Sequence, residues 1–156
     1  MGIIFPKKLN TGSKALIALL VISLSPILLI AVLLYVLWGI ALYVAIWLTW
    51  KKQFTLFVYS DSPIWKDYIE KEILPHIQDS AVILNWSERR HWKNSLAVLA
   101  FRYFGGYRNF NPMALVFRPF HLVRTYRFFE AFKGFKHGNA KKVQKIKEEL
   151  FENLRI

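Results

Sequence analysis

One long stretch near the start of the chain is almost wholly apolar. From Ala15 to Trp50, 36 residues (15 to 50) pass without one charged side chain. A helix built from such a stretch is apolar on every side, which suits lipid and not the core of a soluble domain. Its length sets a difficulty, because 36 residues rise about 54 Å against roughly 30 Å of hydrocarbon. Pro26 removes a backbone donor and crowds the preceding turn. The pattern therefore predicts a break there, with one span over about 27–48 and a shorter interfacial helix, or the start of a kinked span, over 15–25. A re-entrant hairpin bent near Ser25-Pro26 is the alternative, disfavoured by its unequal arms. Trp47 and Trp50, followed by Lys51 and Lys52, read as an aromatic and cationic interface anchor. A cleavable leader has an apolar core of about 7–15 residues and a small-residue cleavage site; neither is visible, so the segment is expected to stay attached.

After Lys51 the pattern changes to short runs. Phe54 to Tyr59 is apolar and β-branched almost throughout, as in a strand buried on both faces. Ser60-Asp61-Ser62-Pro63 offers capping residues with Pro at a first helical position, and Ile64, Trp65, Tyr68, Ile69 and Ile73 repeat at helical spacing to about Leu74. Ala81 to Asn85 predicts a second strand. A polar turn at Ser87 to His91 then leads to a helix on which Trp92, Leu96, Leu99 and Tyr103 share a face, ended by Gly105-Gly106. Met113 to Phe117 and Leu122 to Phe128 predict a hairpin whose second strand is a wet edge carrying Arg124 and Arg127. Beyond Gly138-Asn139, Val143, Ile146, Leu150, Phe151 and Leu154 line one side of a last helix.

Strand, helix, strand, helix, hairpin, helix is an α/β order that resembles the thioredoxin fold over about 54–154. Val58-Tyr59-Ser60 is similar to the approach to the first helix in glutaredoxins. Ser62-Pro63-Ile64-Trp65 stands where that family carries Cys-Pro-aromatic-Cys, with both redox positions replaced. Pro112 stands where the family has a cis-proline, whose loop binds extended substrates through backbone, with Asn111 as its neighbour; the resemblance thus implies a ligand cleft bordered by Ser60, Asp61 and Ser62, by Asn85 to His91 and by Asn109 to Pro112. A flavodoxin-like or other small three-layer α/β sheet is the alternative. The organisation expected is a basic segment 1–14, a membrane segment 15–50 and a basic α/β domain 51–156.

Composition narrows the chemistry. The chain has no Cys, which excludes thiol redox chemistry, thiolate metal sites and disulfides. Of 22 Lys and Arg, 19 lie in 51–156 together with all 10 acidic residues, so the net charge of +12 divides into +9 there and +3 before it. Such a domain is drawn to anionic lipid or nucleic acid, and tethering beside a bilayer favours lipid. Arg118, Arg124, Arg127, Lys133 and Lys136, interleaved with aromatic rings, are the expected lipid or partner surface. Nucleic acid is the disfavoured partner.

Asn85-Trp86-Ser87-Glu88-Arg89-Arg90-His91 is the most reactive-looking segment, since Arg89 and Arg90 can grip a phosphate or carboxylate. Asp61, Glu88 and His91 are the weak acid–base candidates. The plain reading makes Ser87 a helix cap and leaves the arginines solvated. No nucleophile elbow, Gly-rich phosphate loop or zinc spacing of His76, His91, His121 and His137 is present, so neither metal nor cofactor is expected. Lysines on the two flanks of the apolar segment balance; a single pass with a cytoplasmic domain is the expected topology. The function expected is a membrane-anchored, non-redox thioredoxin-like binding or assembly module. The alternative is an enzyme or accessory subunit acting on an anionic lipid-linked substrate.

Overall fold

A computed structural model describes residues 10–51, 53–106, 110–135 and 137–154. The elements in order are helix α1 (Thr11–Trp50), strand β1 (Thr55–Tyr59), helices α2 (Lys66–Glu72) and α3 (Leu74–Ile77), strand β2 (Ala81–Asn85), a 3-10 turn (Trp86–His91), helix α4 (Leu96–Phe104), strands β3 (Met113–Val116) and β4 (Arg124–Arg127), and helices α5 (Phe129–Phe135) and α6 (Lys141–Leu154). The chain divides into two compact units, one ending at Ile40 and the other beginning at Ala41.

The first unit is the apolar body of α1. Among the described residues it belongs to the one helix long and apolar enough to cross a membrane, and its most apolar window is entirely unburied. The break predicted at Pro26 is absent, and with it the hairpin, because α1 continues through the proline. Pro26 has no N–H to give the carbonyl of Ile22, four residues back. The Ser25 hydroxyl donates to that carbonyl at 3.0 Å, and Ser23 and Thr49 likewise turn their hydroxyls back onto Leu20 and Ala45. A helix in apolar surroundings tolerates proline when a neighbouring hydroxyl satisfies the freed acceptor.

The second unit is a mixed α/β domain around one four-stranded sheet in the order β2-β1-β3-β4. β1 runs parallel to β2 and antiparallel to β3, and β4 pairs antiparallel with β3. β1 is central, as its apolar run predicts: Leu56, Phe57 and Val58 are fully buried. Phe57, Ala114 and Val116 face one side, where Ile69, Ile73 and Ile77 of α2–α3, Phe128, Phe132 of α5, and Val143 and Leu150 of α6 cover the sheet. Leu56, Val58, Met113 and Leu115 face the other, covered by Ala97, Ala100 and Phe101 of α4 and by Ile46 of α1.

That last residue moves a boundary. The sequence pattern placed the domain at 51, yet Leu42 is 3% and Ile46 0% exposed. Trp50, read as an interface anchor, is half-buried with its ring edge-on to Phe117 at 5.8 Å. Tyr43 donates its hydroxyl to the carbonyls of Arg118 and of His121, the latter at 3.0 Å. The final turns of α1 are thus core residues of the domain. Lys51, in the left-handed backbone region at φ 45, turns the chain out of the helix and toward β1.

Three predicted elements shift. The helix expected from Ser62 begins at Lys66, because Ser62 first closes a turn in which its hydroxyl accepts from Ile64 N and its carbonyl from Trp65 and Lys66. It is Ser95, not Ser87, that caps α4, accepting from Val98 N; the buried face of α4 is accordingly Ala97, Val98, Ala100 and Phe101, not Leu96, Leu99 and Tyr103. The strand expected at 122–128 is confined to four residues, and α5 follows at once, burying Phe132 and Ala131. The Asn111–Pro112 peptide ahead of β3 is cis.

Candidate functional site

The register sorts the predicted site residues to opposite ends of the sheet. Tyr59 lies opposite Asn85, so the loops leaving the carboxyl ends of β1 and β2 run side by side. Thr55 lies opposite Val116, so the β3–β4 connection sits at the other end of β1, where the chain arrives from α1.

At the carboxyl end a polar network closes on Asp61. Asn85 donates to its carboxylate at 3.1 Å, Lys66 pairs with it at 3.1 Å, and Ser87 accepts from the Asp61 N–H at 2.9 Å. The Asn85 side chain in turn accepts from Ser87 N, capping the 3-10 turn. Hydrogen bonds from Asn85 and Lys66 hold the Asp61 carboxyl below its ordinary value of 3.8, and Asp61, helped by Glu70, raises Lys66. Burial, helped by Glu70 and Asp61, raises the Tyr59 phenol. Asp61 is therefore a fixed anion with its oxygens engaged, not a proton donor near neutrality.

The other residues predicted for this site are spread. Ser60 accepts from the Trp65 indole through its carbonyl and hydroxyl. Arg89 lies over the Trp86 ring at 5.2 Å and donates to the Trp86 carbonyl. Glu88, Arg90 and His91 are exposed on the 3-10 turn, where Arg90 and His91 form no hydrogen bond or ion pair with a described residue. Asn111 is 9% exposed, its side-chain oxygen is buried without a partner among the described residues, and Pro112 accepts from Phe128 N. No hydrogen bond among the described residues ties these two to the Asp61 network. Nor do three His, Cys, Asp or Glu side chains gather anywhere among them.

The basic aromatic strip does not form as one surface. Arg124 lies opposite Val116 and Arg127 opposite Met113, which places them on opposite faces of the sheet. Arg127 donates to the Gly105 carbonyl at 3.0 Å. Lys133 pairs with Glu130 at 3.0 Å and rests on Phe129, and Lys136 lies outside the described residues. Phe117, Phe128 and Phe132 are core. What remains together is Arg118 and Arg124, which with Val116, His121 and Leu122 line a pocket of ≈ 60 Å³.

Arg118 also lines a groove of ≈ 160 Å³ with Phe54, Thr55, Ser80, Val116, Asn153 and Leu154. Thr55 Oγ1 and Asn153 Oδ1 are buried there without hydrogen-bond partners among the described residues. Sequence reasoning missed this groove, since a threonine inside a β-branched run reads only as strand.

Comparison with known proteins adds no relative: no family model, no curated protein and no solved structure matches the chain.

Proposed function

We propose that this chain is a membrane-anchored, non-redox binding or assembly module. A thioredoxin-like domain is held at the bilayer surface to meet a membrane partner or anionic lipid. The observation that carries the reading is the burial of Leu42 and Ile46 within the domain. A leader removed after targeting would take core residues with it, whereas a retained span contributes them permanently. The same sharing eases the length problem: Thr11 to Ile40 is 30 residues (11 to 40), about 45 Å of helix, close to the roughly 40–45 Å of a bilayer with its head groups.

The thioredoxin-like assignment is supported by the strand order and directions, by helices on both faces, and by Pro112 directly before β3. With no Cys, such a domain can bind but not exchange disulfides. The closed Asp61 network favours binding over acid–base chemistry, because its carboxylate is already committed to Asn85 and Lys66. The exposed Arg90, which forms no ion pair with a described residue, leaves a guanidinium open to a partner's acidic groups.

Alkaline carbonate washing of membranes, followed by sequencing of the amino terminus of the retained chain, tests the anchor. The full chain should stay in the pellet with residues before Thr11 intact; release into solution, or a mature chain beginning beyond Trp50, would overturn it. Photo-crosslinking from the 3-10 turn in native membranes tests the binding role. Arg89→Ala combined with Arg90→Ala should lower recovery of the crosslinked partner severalfold in a salt-sensitive manner, and unchanged recovery would remove this end of the sheet from the function.

A further inference from the structure

The β3–β4 connection, residues 117–123, combines features with no use inside the fold. Phe120 and Leu122 are each 92% exposed, more than any large apolar side chain described in α1, where Leu29 reaches 71%. Phe120 also holds a left-handed backbone at φ 62, a conformation that bulky side chains adopt only at a cost and that Gly or Asn would adopt easily. An aromatic ring kept there gains little from the domain: its contact is an edge-on approach to Trp47 at 5.8 Å, and Trp47 is itself 43% exposed.

The loop is nonetheless held in place. The Tyr43 hydroxyl binds the carbonyls of Arg118 and His121, which ties the connection to the last turns of α1. The exposed Phe120 ring therefore lies beside the exposed Trp47 ring of those turns. Beside them, Arg118 and Arg124 carry positive charge and form no ion pair with a described residue. Apolar rings flanked by unpaired cations match the boundary where acyl chains give way to phosphates. Two side chains are far too small an area for a stable protein interface, which needs on the order of 1,000 Å², but lipid accepts isolated insertions.

We infer that loop 117–123 is a second membrane contact, with Phe120 and Leu122 inserted at the head-group and acyl-chain boundary and Arg118 and Arg124 on the phosphates of anionic phospholipid. The inference rests on the membrane-anchored reading. Because the chain has no Cys, single labels can be placed at will. Full-length Phe120→Cys, Leu122→Cys, Leu29→Cys and Glu88→Cys, each carrying an environment-sensitive fluorophore, would be reconstituted in phosphatidylcholine vesicles with or without phosphatidylglycerol and nitroxide-bearing lipids.

Labels at 120 and 122 should be quenched at least twofold by shallow nitroxides, the label at 29 by deep ones, and the label at 88 by neither. Quenching at 29 without quenching at 120 and 122 would overturn the loop contact and leave the anchor standing; no quenching at 29 would mean that the anchor itself had failed. Arg118→Ala with Arg124→Ala should reduce quenching at 120 in phosphatidylglycerol vesicles to the level in phosphatidylcholine alone. Indifference to both the arginines and lipid charge would overturn the phosphate contact.

Discussion

At the scale of single residues, Ile46 and Asp61 make the most pointed tests. Ile46 is fully buried although it lies within the stretch 27–48 that reads as the membrane span. Ile46→Ala should cost about 2–5 kcal/mol, as for other buried aliphatic truncations, whereas Leu29→Ala on the exposed body of the helix should change stability by less than about 0.5 kcal/mol. Denaturant unfolding in detergent, followed by tryptophan emission, measures both. Asp61 tests the polar network through pH. Its carboxyl titrates below the ordinary 3.8 because Asn85 and Lys66 stabilise the ionised form. That contribution is complete above the unfolded value and is lost as pH falls through the lower folded one. The stability difference between the protein and Asp61→Asn should therefore be constant above about pH 5 and shrink as the pH drops below 4; urea midpoints from pH 3 to 7 would show it, and a pH-independent difference would dismiss the network.

At the scale of elements, the strands are legible as short apolar runs: β1, Thr55–Tyr59, falls within the run from Phe54 to Tyr59, and β2 matches Ala81–Asn85. Helix ends were less so. Ser62 and Ser87 both read as caps in sequence, and whether a serine starts a helix depends on contacts from a distant segment, as when Ser87 is engaged by the Asp61 N–H. α5 escaped because Phe128, Phe129, Phe132 and Phe135 next to Arg and Lys look like a membrane-interface strip, and only the packed sheet reveals Phe132 as core. Pro26 misled for a local reason: the hydroxyl that replaces its missing N–H comes from its own neighbour, Ser25. An unbroken α1 makes a prediction of sidedness. In sealed vesicles an impermeant thiol reagent should label Gly12→Cys and Lys142→Cys from opposite sides, one of them only after permeabilisation; labelling of both from one side would restore the hairpin.

At the scale of the whole molecule, the Asp61 network and the pair Arg118 and Arg124 lie at two ends of one sheet, a separation that no spacing in the sequence encodes. Where the domain begins also has a measurable answer. A fragment from Ala41 should unfold cooperatively in mild detergent, while one from Lys51 lacks Leu42 and Ile46 and stands to lose several kcal/mol of a total that is typically about 5–15 kcal/mol. It should melt broadly and bind a hydrophobic dye, and an equally sharp transition would return the boundary to 51. The shared turns of α1 bear on biosynthesis as well. Tyr43 and its acceptor Arg118 are 75 positions apart, so at about 5–20 residues per second a ribosome needs roughly 4–15 s to deliver the second after the first. Throughout that interval the inner side of the helix end lacks the sheet that covers it in the folded domain, and its apolar side chains stay open to whatever surrounds the growing chain.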